Sequence, residues 1–492
     1  MDPGTDMYRR LVSPRTICLA ALLAVSYGAA AAERLSMQQM LLRILETYPS
    51  LRVASLEVAR ASQDSARVEG QLSWVLGAQA GAGHQLSFFG TPSDRFDAGA
   101  TLSRRLASGN SVEFGAGYAY EDSTVAFSPF IPNPSHRTTI DANLRVPLQR
   151  GSGNPEYEQA SLIAEAQTEI ARASWYATRD QLASQALNIY FAAALTRARL
   201  ADAEHSIERA RRLRRFIAEN AELGLSEEKD QLQADARLRA RLAEQQSLRV
   251  GWEQQRTSLN RLTGRAWDAE FEPDADPKAT AELAATELMF EEVQTNSAEL
   301  RRYQQQITIS DAVLQVKRDQ RKDIFDLVLG VGARSTQGDT DAGGQSDEEL
   351  VGGVRVEFSR ATDAQGLDAE VRQAELDRVI ALQEQQRVHD DLRYQVYGLV
   401  AEIQAAELAL TEQQARLRSE QLKLDEAVER YRMGRIDTAR LIDFEGDVFV
   451  TELIITQQRI ELAAKRAQLD LLRGTLWVGV GPAAEYVERP SP

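Results

Sequence analysis

"ERYRMGRIDTARLIDFEGDVF", residues Glu429–Phe449, breaks an otherwise uninterrupted helical pattern at a single residue, Gly434. The stretch Glu219–Leu238, "ENAELGLSEEKDQLQADARL", does the same at Gly224, 210 positions earlier, and the two align without a gap: Leu232 falls on Ile442 and Leu238 on Val448. A glycine reaches the left-handed backbone conformation that ends a helix and frees the chain to turn. Asp437, and Ser226 in the earlier copy, then offer caps for the next helix. Each stretch predicts the tip of a helix-turn-helix hairpin, and the chain holds two.

The flanking sequence makes these hairpins long. Apolar residues recur at every seventh position through Val396, Ile403, Leu410, Leu417, Leu424 and Tyr431, and again through Leu441, Val448, Ile455, Leu462, Leu469 and Leu476. A strict seven-residue repeat demands supercoiled packing against a neighbouring helix. The first long helix, from Glu156 to about Glu222, is looser and Ala-rich; at about 1.5 Å per residue it would reach roughly 100 Å. A globular domain has little use for such a rod.

A weaker echo joins Tyr48–Val58 ("YPSLRVASLEV") to Ser297–Ile307 ("SAELRRYQQQI") at an offset of 249, so the first half holds 39 residues that the second lacks. The surplus falls between Trp74 and Arg150, where four segments alternate in character. In one of them Phe96, Ala98, Ala100 and Leu102 face one way and Asp97, Gly99, Thr101 and Ser103 the other. The second half offers two such segments, Asp326–Arg334 and Val351–Phe358. One extra hairpin accounts for most of the difference. Alternation of this kind suits a barrel wall with lipid outside and water inside, and it suits a half-buried soluble sheet equally well. The strands alone do not choose.

Composition excludes several classes of function. Arg9, Arg10 and Arg15 precede the apolar run "ICLAALLAV", and small residues lead to Ala32, which reads as a secretory signal. The run is too short to span a bilayer comfortably. Cys18, the only cysteine, lies inside it, so the mature chain is expected to have no disulfide and no thiolate chemistry. With 73 acidic against 57 basic residues and a net charge of −16, the chain is a poor partner for nucleic acid. The basic stretch Glu208–Phe216 lies on an amphipathic helix between Glu204 and Glu219 and reads as solvated surface. His84, His136, His205 and His389 are scattered without metal-like spacing, and no nucleophile or phosphate-binding motif is present. Neither catalysis, a metal nor a cofactor is expected.

With these features assembled, the chain resembles the TolC-type outer-membrane factors, the outer membrane efflux proteins of tripartite efflux pumps and type I secretion systems. The resemblance rests on the signal, on Glu46–Ala61 ("ETYPSLRVASLEVARA") with its second copy, on Leu144–Gly151 ("LRVPLQRG") and on both tip stretches, in the family's order. It implies an α+β fold in two internal repeats: long antiparallel coiled-coil α-helical hairpins forming a periplasmic α-barrel, plus transmembrane strands forming a shared trimeric β-barrel. It also implies a homotrimer set in the outer-membrane lipid of a Gram-negative bacterium, with a periplasmic adaptor (membrane fusion) protein and an inner-membrane transporter as partners. The channel would conduct passively.

The family's aperture residues carry over one at a time. Its aspartate six residues after the first turn glycine falls on Asp230, its tyrosine three before the second on Tyr431, and its aspartate nine after the second on Asp443. Where the family has an arginine two after that glycine this chain has Ile436, with Arg435 adjacent, and where it has an aspartate six after, this chain has Arg440. The mouth could close by an acidic ring or by an Asp/Arg network. Asp230 and Asp443 also suit plain helix-start carboxylates favoured by the helix dipole. "EFSRATDAQG" places Arg360 and Ala361 where the family has a proline. The competing reading, a periplasmic coiled-coil adaptor, needs only one hairpin and no barrel strands. The expected organisation is a signal at 1–32, opening helices at 33–73, barrel strands at 74–150 and a first long hairpin at 151–272. The second half repeats it with a linker and opening helices at 273–323, strands at 324–362, a hairpin at 363–478 and a tail at 479–492.

Overall fold

The computed structural model describes residues 33–86, 92–124, 132–222, 227–274, 283–481 and 484–486; the expected signal, Gly224 and Ser226 lie outside them. A short strand β1 (Glu33–Leu35) leads into helices α1 (Met37–Thr47) and α2 (Pro49–Glu69). Strands β2 (Val75–Leu86), β3 (Pro92–Arg105), β4 (Ser111–Ser123) and β5 (Ser135–Pro147) follow, then helices α3 (Pro155–Glu222) and α4 (Glu228–Leu262). After β6 (Phe271–Pro273) come α5 (Thr286–Asn296), α6 (Ala298–Gln320), β7 (Ile324–Thr340), β8 (Gly343–Ser359), α7 (Gln365–Arg432) and α8 (Thr438–Arg473). The two longest helices, α3 and α7, each have 68 residues, and their successors have 35 and 36. No helix among the described residues is long and apolar enough to cross a membrane.

The chain divides into two compact units. The larger comprises the described parts of Leu41–Leu187, Ala279–Glu412 and Leu462–Pro492. It holds a six-stranded antiparallel sheet in the order β2-β3-β4-β5-β7-β8. Register sorts the side chains by face. Ala78, Ala100, Ala116, Ile140, Ala333 and Leu350 form one continuous row, and Leu102, Phe114, Ala142 and Val331 the next. The intervening rows are polar or glycine: Thr101 pairs with Gly115, Gly115 with Asp141, and Asp141 with Gly332. A methyl group on Gly115 would sit 2.6 Å from the Asp141 carboxylate, so glycine there lets the polar face close inward over its longer side chains. Arg145 bridges Asp326 and Glu357 on that same face, at 2.9 Å each. β7 and β8 run further than their alternation predicted, to Thr340 and from Gly343. The added residues, such as Ser335, Gln337, Asp347 and Glu348, are polar on both faces, so no period of two marks them.

Beside the sheet, the larger unit packs α5 against α7 and α8 around Met289, Val293, Val396, Ile403, Leu462 and Leu469. Val396 with Ile403, and Leu462 with Leu469, are successive members of the seven-residue repeats. These stripes bury because side chains seven apart return to the same helix face. Ion pairs tie α6 to the start of α7, Lys317 to Glu370 at 2.8 Å and Arg318 to Glu375 at 3.2 Å. Arg473 joins α8 to Glu292 of α5 at 2.6 Å.

The smaller unit comprises the described parts of Met1–Met40, Asn188–Lys278 and Gln413–Glu461. β1 and β6 pair in parallel, and the buried Tyr190 donates its hydroxyl to the Leu35 carbonyl at 2.9 Å. In its part of α8 the repeat positions Leu441 and Val448 are buried.

Candidate functional site

The residues carried over from the family all belong to the smaller unit, where two helices end and two begin. Gly434 adopts φ +69, the left-handed conformation expected of it, just past the end of α7. Its N–H bonds the Tyr431 carbonyl at 2.9 Å, and Arg435 N–H bonds the Arg430 carbonyl at 2.9 Å, so the last turn closes on itself. Asp437 caps α8 by accepting the Arg440 N–H at 2.8 Å. At the start of α4 the cap is Glu227: the Glu227 side chain and Asp230 form a reciprocal capping box, with Asp230 accepting the Glu227 N–H at 3.0 Å. Both ends of this arrangement satisfy amide donors that a helix start leaves open. The Glu227 carboxylate also holds the Lys229 ammonium above its usual range, chiefly through their hydrogen bond.

The five aperture candidates therefore have different surroundings. Tyr431 packs its ring against Phe216 of α3, centroids 5.6 Å apart, and its hydroxyl lies 3.0 Å from the Thr438 hydroxyl. It ties α7 to α3 and to the start of α8. Asp230 is engaged with its own helix start. Arg435, Arg440 and Asp443 are exposed, and Arg440 lies 5.9 Å from the Phe444 ring. No ion pair links these residues to one another, and Asp443 has no polar partner among the described residues. Among the described residues of one copy these five form no Asp/Arg network with one another; such an arrangement in the unit joins instead Asp235 of α4 to Arg214 of α3 at 3.2 Å and to Arg239 at 2.7 Å.

A second cluster in the same unit escaped the sequence reading. Glu445 on α8, 5% exposed, lies between Arg209 of α3 at 3.5 Å and Arg237 of α4 at 3.8 Å. Arg209 reaches Glu452 as well, at 2.6 Å. Gly446 makes room, since a methyl group there would stand 2.7 Å from the Arg237 guanidinium. Arg241, 8% exposed, lays its guanidinium over Phe449 at 3.5 Å, and burial pulls it below the usual arginine range. Further along, Thr456 donates to Asp202 at 2.7 Å and Arg199 donates to Gln457 at 2.6 Å. Arg211, Arg212, Arg214 and Arg215 of the basic stretch are exposed as expected; Arg209 is the exception, turned inward. The sequence signal was available: Glu445 and Glu452 are seven residues apart, beside the Leu441 and Val448 stripe.

Among the described residues no group of three His, Cys, Asp or Glu could hold a metal ion. His84 pairs with Asp94 at 2.6 Å and His389 with Gln294 at 2.6 Å.

No protein-family model matches the chain, and no curated protein matches its sequence. Solved structures do match in fold. The outer-membrane channel OprN superposes with a TM-score of 0.67 at 17% identity, covering 89% of each chain. The outer membrane protein VceC from Vibrio cholerae gives 0.64 at 15% identity, over 90% of this chain and 96% of its own. The Campylobacter jejuni CmeC outer membrane channel gives 0.59 at 12% identity, over 96% and 94%. The chain has the fold of these outer-membrane channels along nearly its whole length.

Proposed function

We propose that the protein is the outer-membrane exit duct of a tripartite efflux pump or type I secretion system, a passive channel and not an enzyme. It works as a homotrimer fed by an inner-membrane transporter through a periplasmic adaptor. One observation carries the reading: the six-stranded sheet has a continuous apolar face that nothing among the described residues covers, and a polar, glycine-lined face the other way. A water-soluble sheet buries its apolar face; a barrel wall gives it to lipid and keeps the polar face for the lumen. The adaptor alternative accounts for neither the sheet nor its amphipathicity.

In this reading the helix-turn tips form the periplasmic aperture. Three symmetry copies of Asp443 around a narrow aqueous axis would repel one another and select cations. Asp230 contributes less directly, because one of its carboxylate oxygens is occupied in the capping box. Tyr431 and Gly434 hold the turn that presents them. Arg440 and Arg435 have no carboxylate partner among the described residues of one copy, and in the assembly they would meet carboxylates of a neighbour. Single-channel recording in planar bilayers tests the assignment. Asp443→Ala raises conductance and weakens cation selectivity if Asp443 lines the constriction, and an unchanged channel removes it from the aperture.

A further inference from the structure

The β2–β3 hairpin has no counterpart among the described residues of the second half of the chain. Its apolar residues stay in the rows of the other four strands, Ala78 and Ala100 running on from Ala116. Its polar row does likewise: Thr101 stands between Gly77 and Gly115, the same alternation of small and large that continues through Asp141. A hairpin projecting into water above a barrel has no reason to keep one face apolar from Leu76 to Ala82 and from Phe96 to Leu102, up to the His84–Asp94 pair where the band ends. Leu76 at one end of β2 is 74% exposed and Phe96 near the other end of β3 is 42% exposed, both on the face that the remaining strands offer to lipid. Trp74, just before β2, packs beside Phe114, and Phe96 packs beside Tyr118, so the hairpin contributes to an aromatic group at each margin of the apolar band. Aromatic girdles at both interfaces are what a membrane wall carries.

The sheet has two ends, β2 and β8. In hydrocarbon their outward N–H and C=O groups must be paired, since each unsatisfied group costs several kcal/mol. An even number of antiparallel strands makes β8 of one copy antiparallel to β2 of the next, so copies can join head to tail without a break in the pattern.

We propose that β2–β3 is part of the barrel wall and that the joint between copies is β8 against β2. Resting on the homotrimer proposed above, three copies of the six-stranded sheet close an eighteen-stranded barrel. Barrel diameter grows roughly linearly with strand number, and walls of about this size leave an open aqueous channel. The duct is then about half again as wide through the membrane as one built from two strands per half.

Cryo-EM of the full-length protein in detergent counts the strands. Eighteen, with β2 beside β8 of the neighbour, is the expected result. Twelve strands, with residues 75–105 folded away from the wall, would overturn the proposal and leave the duct reading intact. The absence of any closed barrel would overturn both. Cross-linking gives an independent readout in a chain whose only native cysteine is Cys18. Gln79→Cys on β2 with Gly353→Cys on β8, joined by a short bis-maleimide, should give a covalent ladder up to trimer. A ladder from Ala119→Cys on β4 with Gly353→Cys, and none from the first pair, contradicts the joint.

Discussion

The six-stranded sheet and the tip-bearing helices invert each other's chemistry. In the sheet one face carries large apolar side chains in the open, Leu350 91% accessible and Val354 73%, while on the other face polar side chains such as Asp141 close over glycine. In the smaller unit the helices bury Leu441 and Val448 in the ordinary way and then bury charge beside them, in Glu445 and Arg241. On the proposed reading, one chain is written for two solvents. Where lipid replaces water there is no gain in hiding apolar area from it, and the constraint shifts to pairing every backbone group. Where water surrounds the helices, burial drives packing, and a buried carboxylate is retained only if guanidinium groups meet it.

Charge placed on either region probes that inversion. The largest effect is expected from Val331→Arg, in the middle of the apolar rows, at about 2–4 kcal/mol in each copy; Gln79→Arg on the polar face should change stability by less than about 0.5 kcal/mol. Heat-resistant oligomer on gels and recovery in the outer-membrane fraction report the difference, and equal tolerance of both would remove the distinction between the faces. Next comes Glu445→Ala. Removing one member of a fully buried ion pair costs about 3–5 kcal/mol, but Arg209 and Arg237 keep some solvent and their contacts are long, so about 2 kcal/mol is expected. Hydrogen exchange over residues 438–461 should speed up accordingly, and unchanged protection there would show that the cluster contributes nothing net. Gly434→Ala, forced into a left-handed conformation, should cost about 1–2 kcal/mol, read as faster exchange at the end of α7. Smallest is the loss of a single exposed pair such as Lys317 with Glu370, about 0–1 kcal/mol in a double-mutant cycle.

Much of the fold was legible because its period is regular. Sevenfold spacing marked the faces that now bury Val396, Ile403, Leu462 and Leu469, and alternation marked the strands wherever one side met an apolar medium. That signal fades at Ser335–Thr340 and Gly343–Glu349, where both faces are polar and the strands are held by backbone pairing alone. The turn at Gly434 was readable from φ chemistry, and its cap from Asp437. At the earlier turn Ser226 lies outside the described residues, and the cap seen there is Glu227, paired reciprocally with Asp230. The Arg209–Glu445–Arg237 cluster was missed for a different reason: helix periodicity was sought in apolar residues, and a buried charge follows the same stripe without announcing itself. The residues proposed for the aperture are individually in view but separate from one another.

Planar-bilayer recording of the detergent-purified, full-length protein tests the central claim most directly. Discrete, long-lived conductance steps from a trimeric species are expected if lipid is the partner of the sheet's apolar face. A monomer that stays in solution without detergent and leaves the bilayer silent would contradict the account.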